Sequence, residues 1–285
     1  MVTVEDYKGG ETAWCPGCGN FQILQAMKEA LVELNLAPHQ VLFVSGIGQS
    51  SKLPQYLNCN LFNGLHGRSL PVATGVKIAN HELTVVVVGG DGDGYGEGGN
   101  HLVHTIRRNL DVTYIVHNNQ IYGLTKGQAS PTSDNGFVTK TTPKGVISQP
   151  FNPLTFAISL GATFVARGFS AEIPQLTKLI VEGIQHKGFA LIDVLQPCVS
   201  FNYRNTYAWY KDRVYDVDEE DYDPSDQFIA FKKAQEWGAR IPIGVIFRSV
   251  RSTYEEQIPV LDAGPLIQQP HDLESLEELL EEFIP

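Results

Sequence analysis

Apolar residues fall along this chain in two distinct patterns. In "NFQILQAMKEALVELNL" (20–36) they recur at helical spacing and stop before a proline, which predicts an amphipathic helix. The same reading predicts helices over 97–109, 153–163 and 173–187, and a loop running into a helix over 64–80. Between them lie short runs that are largely apolar: "QVLFVSGIG" (40–48), "LTVVVVGG" (83–90), "VTYIVHNN" (112–119), "TFVARGF" (163–169) and "FALIDVLQP" (189–197). A strand carries apolar side chains on both sides only if both of its faces are covered. Alternating with helices, such strands predict an α/β fold, a mostly parallel sheet with helices on both faces.

The pattern changes after about residue 203. "YDVDEEDYDPSD" (215–226) is acidic and poor in apolar residues. It leads into a helix near 227–239, an extended "IPIGVIFR" and a short acidic helix, "LESLEELLEEF" (273–283). The expected organisation is an α/β domain over 1–203 and an acidic extension over 204–285 that wraps it or docks to a partner.

Ligands of parallel sheets bind beyond the carboxyl ends of the strands. Three polar or glycine-rich loops follow strands here, at 45–52, 89–99 and 117–128, so a site is expected at that edge. In "GGDGDGYGEGGNHL" glycine and aspartate nearly alternate. An EF-hand loop does not fit, because Tyr95 and Leu102 stand where ligands are needed. "GYGEGG" matches a dinucleotide fingerprint, but Asp91, Asp93 and Glu97 repel a bare pyrophosphate. A purely structural acidic turn remains an alternative. Carboxylates can face a diphosphate across a divalent cation, and Mg2+ takes oxygen ligands from protein and phosphate together. Asp91 ends one strand and Asn119 ends the next, so the two can supply such oxygens side by side. Gly90, Gly92 and Gly94 leave backbone N–H groups open to phosphate oxygens.

Composition narrows the partners. A net charge of −11 argues against nucleic acid and anionic membrane, both of which need clustered cations. No apolar run approaches the roughly 18 residues of a membrane span. "MVTVEDYKGGETAW" has neither the basic nor the apolar region of a secretory signal, so the expected location is the cytoplasm. In a reducing compartment Cys15, Cys18, Cys59 and Cys198 point to metal or redox use rather than disulfides. On spacing alone, Cys15-x-x-Cys18 with Cys198 suits zinc as well as iron–sulfur.

Gly90-Asp91-Gly92 followed by Asn118-Asn119 resembles the thiamine diphosphate-binding motif of that enzyme superfamily. By this resemblance Asp91, Asn119 and the carbonyl of Ile121 hold Mg2+. With "WCPGCGN" (14–20), "SGIGQSSKLPQY" (45–56), "GLHGRSLPVATGVKIAN" (64–80), "NNQIYGLTKGQASPTS" (118–133) and "QPC" (196–198), the chain resembles the β subunit of 2-oxoacid:ferredoxin oxidoreductases over roughly 12–203. The resemblance implies oxidative decarboxylation of a 2-oxoacid such as 2-oxoglutarate or pyruvate on thiamine diphosphate. It also implies an acyl-CoA product and electrons passed through a [4Fe–4S] cluster to ferredoxin. Gly46, Ile47, His66, Gly67 and Arg68 are implied near the cofactor, with Asp93 in the motif loop and Tyr122, Gly123, Leu124 and Thr125 continuing the wall. Lys52 is the candidate for a substrate carboxylate, and His66 the second catalytic candidate. An α subunit is implied for the pyrimidine side of the cofactor.

One departure stands out. The family places a cysteine directly after Gly-Ile-Gly, where this chain has Gln49. Three outcomes are open: Cys59 completes four ligands, three thiolates share the cluster with another ligand, or the cluster is absent. Two further functions stay open, a non-oxidative thiamine diphosphate-dependent 2-oxoacid decarboxylase subunit and a non-catalytic zinc-binding interaction protein.

Overall fold

The valines of "TVVVVGG" alternate between two cores. Val86 and Val88 pack into one apolar cluster, Val85 and Val87 into another. Both faces of that strand are covered, so its sequence shows no polar alternation. The computed structural model describes residues 1–270 and 273–284.

Strands β1 (Val41–Ser45), β2 (Asn60–Asn63), β3 (Thr84–Gly90) and β4 (Thr113–Asn118) form half of the main sheet. Two short strands, β5 (Ile121–Tyr122) and β6 (Gln128–Ala129), make a separate hairpin. Strands β7 (Phe164–Phe169), β8 (Ala190–Leu195), β9 (Val214–Asp216) and β10 (Ile241–Arg248) complete a sheet of eight strands in the order β2-β1-β3-β4-β8-β7-β10-β9. All neighbours are parallel except β10, which runs antiparallel to β7.

Helices α1 (Asn20–Glu33), α2 (Ser69–Ala79), α3 (Gly99–Arg108), α4 (Pro153–Ser159) and α5 (Ile173–Gln185) are those expected from periodicity. Ile23, Met27 and Leu31 of α1 join Leu176 and Ile180 of α5 on one face of the sheet. Leu70 of α2, Leu102 and Ile106 of α3 and Leu154 of α4 cover the other. Burying a side chain of this size fully contributes roughly 1.5–3 kcal/mol relative to exposure.

The segment after 203 does more than wrap. Helices α6 (Tyr207–Lys211) and α7 (Gln227–Ala234) precede β10, and β9 and β10 extend the main sheet. Without β10 the strand β7 would expose an unpaired edge. The expectation of an appended extension is therefore corrected in part: its apolar stretch is core sheet, with Ile241, Ile243, Ile246 and Phe247 buried. Beyond β10 the chain does follow the opposite end of the sheet, where Asn109 Nδ2 donates to the carbonyls of Arg251 and Ser252 at 2.9 and 3.2 Å. The acidic stretch near the end forms α8 (Leu273–Glu281). Among the described residues no helix is long and apolar enough to cross a membrane.

At the end of α5 the His186 ring lies 2.8 Å from Thr163 Oγ1. Burial, assisted by Arg248, pushes its pKa down to about 4. The unfolded chain takes up a proton near pH 6.5 that the native imidazole refuses, so this group costs stability as pH falls from about 6.5 toward 4. The expected result is a loss of urea midpoint between pH 7 and 5 that is shallower in His186→Gln than in the unsubstituted protein.

Candidate active site

The carboxyl ends of β1, β3 and β4 meet at one cleft. Its border includes Ile47, Gly48, Gln49 and Ser50 after β1, and Gly90, Asp91, Gly92 and Asp93 after β3. Asn119, Ile121, Tyr122, Gly123, Leu124 and Thr125 follow β4, and His66 closes the side. The three loops expected to converge do so.

Asp91 sits on the floor of this cleft, 1% exposed. Its Oδ2 accepts from Ser130 Oγ and from Thr132 Oγ1, the latter at 2.7 Å. Burial pushes its pKa up to about 6, the two hydroxyls pull it down, and the nearby Asp193 repels its ionised form. A nearby cation favours the ionised form of a carboxylate in such surroundings. Asn119 Oδ1 accepts from Ile121 N at 3.0 Å and keeps a second lone pair. Gln120, at φ 58, turns the chain between them. Its amide is anchored to the Thr132 carbonyl at 2.7 Å and to the Tyr210 hydroxyl at 3.0 Å. Carboxylate, amide and carbonyl oxygens from Asp91, Asn119 and Ile121 form a hard donor set that suits Mg2+.

Residues 92–97 form a π-helical turn before α3. Such turns recur at functional sites because they break the regular hydrogen-bond ladder. Here the glycines answer the chain's own packing. A Cβ on Gly92 would lie 2.1 Å from the Tyr122 ring, and one on Gly94 would lie 1.9 Å from the Tyr114 hydroxyl. Tyr122 OH also donates to the Gly92 carbonyl at 3.2 Å.

Asp93 has an internal task. Its Oδ1 accepts from Ile47 N at 2.9 Å and Gly67 N at 2.8 Å, with His66 Nε2 3.8 Å away. It therefore ties the loop after β1 to the 64–68 loop, and a Cβ on Gly46 would collide with it at 2.1 Å. Burial raises the Asp93 pKa against the pull of those two N–H groups. Arg68 is exposed and donates to the carbonyls of His66 and Glu97, each at 3.2 Å, rather than bordering the cleft. Lys52 lies in the 3₁₀ turn Ser50–Tyr56, two positions beyond Ser50, and is not among the residues bordering the cleft.

A second cavity adjoins the first and shares Gln49, Asn119 and Gly123 with it. Cys15, Cys18 and Cys198 all border this second cavity. Gln196 Nε2 lies 3.4 Å from Cys18 Sγ, and burial holds the Cys18 thiol up at about 11. Cys59 is elsewhere: it packs against the core cluster that contains Tyr7 and Leu57, and burial pushes it up to about 12. Its candidacy as a fourth ligand is not supported by this placement. Among the described residues no three His, Cys, Asp or Glu side chains come together as a site for a single metal ion. Three cysteines at one cavity are a donor set that an iron–sulfur cluster could use.

Sequence reasoning missed the polar layer under the floor. Asn118 Nδ2 and Tyr95 OH donate to Asp193 at 3.1 and 2.9 Å, and Arg167 Nε lies 3.5 Å from the same carboxylate. The Thr132 hydroxyl is also within 2.8 Å of Asn118 Oδ1, so its one proton serves either Asp91 or Asn118. The only local sign was the hydroxyl-rich "SPTS" at 130–133.

Comparison with known proteins agrees with this geometry. Residues 42–194 match the family described as thiamine pyrophosphate enzyme, C-terminal TPP binding domain. Residues 198–263 match the C-terminal family of the pyruvate ferredoxin oxidoreductase beta subunit. The chain is 47% identical over 274 residues to the 2-oxoacid:ferredoxin oxidoreductase 1, subunit beta, of Aeropyrum pernix, covering 92% of this chain and 86% of that one. It is equally similar, 47% over 274 residues, to the 2-oxoacid:ferredoxin oxidoreductase subunit beta of Saccharolobus solfataricus, covering 91% and 90%. A solved 2-oxoglutarate:ferredoxin oxidoreductase from Magnetococcus marinus, with 2-oxoglutarate, coenzyme A and succinyl-CoA bound, superposes with a TM-score of 0.91 at 36% identity, covering 100% of this chain and 97% of that chain. The chain belongs to the family of β subunits of 2-oxoacid:ferredoxin oxidoreductases.

Proposed function

We propose that this chain is the thiamine diphosphate-carrying subunit of an enzyme that oxidatively decarboxylates a 2-oxoacid to an acyl-CoA and passes the electrons to ferredoxin. What carries the reading is adjacency. The cleft with the Mg2+-type donor set and the cavity with three cysteines share Gln49, Asn119 and Gly123, so electrons have a short route from one to the other. The ligands named for the Magnetococcus marinus structure support 2-oxoglutarate and coenzyme A as substrates.

Asp91, Asn119 and the Ile121 carbonyl would hold Mg2+, whose charge would offset that of the diphosphate. When bound, thiamine diphosphate supplies the electron sink for loss of the substrate carboxylate. His66, Ile47 and Leu124 border the same cleft and would face what binds there. Lys52 attracts the substrate carboxylate from the neighbouring turn. Cys15, Cys18 and Cys198 hold the cluster. The pyrimidine side is completed by an α subunit, and the free thiols suit the reducing cytoplasm.

The test uses the chain purified without oxygen together with its α partner. Cys15→Ser with Cys18→Ser is expected to remove bound iron and ferredoxin reduction while thiamine diphosphate stays bound. Unchanged ferredoxin-linked turnover in that variant overturns the proposal. A protein that lacks iron yet still decarboxylates 2-oxoacids favours the non-oxidative reading, to which Gln49 in place of a cysteine lends its one support.

The hydroxyl pair over Asp91 gives a finer check. Ser130→Ala with Thr132→Val removes the two donors that favour the charged carboxylate. At about 1.5 kcal/mol or more for the lost charged hydrogen bonding, Mg2+-dependent thiamine diphosphate affinity falls at least roughly tenfold by titration calorimetry.

A further inference from the structure

We propose that the iron–sulfur cluster of this chain is held by three thiolates, with the side chain of Gln49 facing its fourth corner. The inference rests on the cluster reading above and deepens it. Cys15, Cys18, Cys198 and Gln49 border one cavity, and no fourth cysteine does. Gln49 stands where this cavity meets the cleft, and its Oε1 is buried without a hydrogen-bond partner. A buried carbonyl oxygen left unpaired is costly, so it marks a place where a partner belongs.

The backbone at Gln49 is held in position. Trp14 Nε1 donates to its carbonyl at 2.8 Å. The indole in turn packs edge-on against Phe21 and Tyr56, with ring centroids 5.4 and 4.7 Å away. Trp14 directly precedes Cys15, so the same side chain ties the Cys-x-x-Cys segment to the loop carrying Gln49. Cys59, the alternative donor, is not among the residues that border this cavity.

A carboxamide oxygen is a hard, neutral donor, and iron in a cubane prefers thiolate. Three thiolates also leave the cluster unit one negative charge short of the four-thiolate form. Its reduction potential is therefore higher than with cysteine at 49, since net charge is one of the settings of that potential. The iron at the Gln49 corner is the one held least strongly. A one-electron oxidant such as ferricyanide takes an electron from [4Fe–4S]2+. The product then releases Fe2+ and leaves [3Fe–4S]+, which balances iron, sulfide and charge.

The experiment follows iron and spectrum rather than turnover. The anaerobic complex with its α partner is titrated with ferricyanide, with iron content and the electron paramagnetic resonance spectrum read at each step. Loss of about one iron in four, with the spectrum of an oxidised three-iron cluster, is the expected result. Gln49→Cys is expected to retain all its iron through the same titration and to shift the potential downward. Gln49→Ala, which cannot fill the corner, is expected to take up the cluster and release iron faster. Cys59→Ser is expected to leave the cluster unchanged, and loss of the cluster in that variant assigns the fourth corner to Cys59 and overturns the proposal. A four-iron cluster that survives oxidation equally well with glutamine or cysteine at 49 also overturns it. A chain that takes up no iron even on anaerobic reconstitution sinks the underlying cluster reading instead, and this proposal with it.

Discussion

Asp91→Ala is expected to weaken Mg2+-dependent binding of thiamine diphosphate by a hundredfold or more while the protein stays folded. The carboxylate is 1% exposed at the end of β3, and the charged neighbour acting on it, Asp193, repels it. On the proposed reading a bound Mg2+ would offset that repulsion, adding to what the Ser130 and Thr132 hydroxyls supply. Removing one partner of a buried charge pair costs about 3 kcal/mol or more, and each 1.4 kcal/mol is about a factor of ten in affinity. Asp91→Asn keeps an oxygen in place and loses the charge, so its affinity is expected to lie between the two. Stability should change little, because the hydroxyls of Ser130 and Thr132 have other acceptors nearby: Thr132 reaches Asn118 Oδ1 at 2.8 Å. Titration calorimetry with and without Mg2+, beside a thermal melt, checks both halves. Unchanged affinity in Asp91→Ala would remove the magnesium assignment at once.

Gly67→Ala is expected to cause the largest loss of stability among the glycines in and beside the cleft. Gly67 has φ +69, and a Cβ there would lie 2.4 Å from the Glu97 carbonyl carbon and 2.5 Å from Gly98 N. Both are backbone atoms of the π-helical turn, so no side chain can swing aside. The left-handed backbone costs a residue with a Cβ about 1–2 kcal/mol. Overpacking adds about 1–3 kcal/mol. The sum, about 2–5 kcal/mol, shows in the denaturant midpoint. The same shift breaks the bond from Gly67 N to Asp93 and moves His66 at the cleft border. Gly75→Ala in α2 is the control, because nothing lies within 4 Å of its Cβ position. There the change is expected to stabilise by up to about 1 kcal/mol through helix propensity.

The sheet was legible where burial on both faces forces an apolar run. Val85–Val88 and Ala190–Ile192 are such runs. Strand β2 was not legible, because all four of its residues are exposed on the sheet edge and carry no burial pattern. The hairpin of β5 and β6 is two residues long on each side, too short for any period to show. Strand β10 read as extended, yet its partner did not: pairing with β7 joins residues that periodicity cannot connect.

The site divides in the same way. Asp91 and Asn119 could be placed together from the sequence because a parallel sheet puts successive strand ends side by side, and Ile121 joined them only through the resemblance to the thiamine diphosphate motif. Their supports could not. Asp93 borders the cleft and also ties two loops together, and only folding brings Ile47 N and Gly67 N to its carboxylate. Ser130 and Thr132 reach Asp91 across a hairpin and a turn that no spacing rule encodes. Among the four cysteines, the three that border one cavity differ from Cys59 only in where the chain carries them. The sequence by itself determined the layered fold, the edge where ligands bind and the donor types available, because periodicity and strand order are local properties. Tertiary structure alone decided which donors share a cavity and which side chains hold them, because those contacts join residues far apart in the chain.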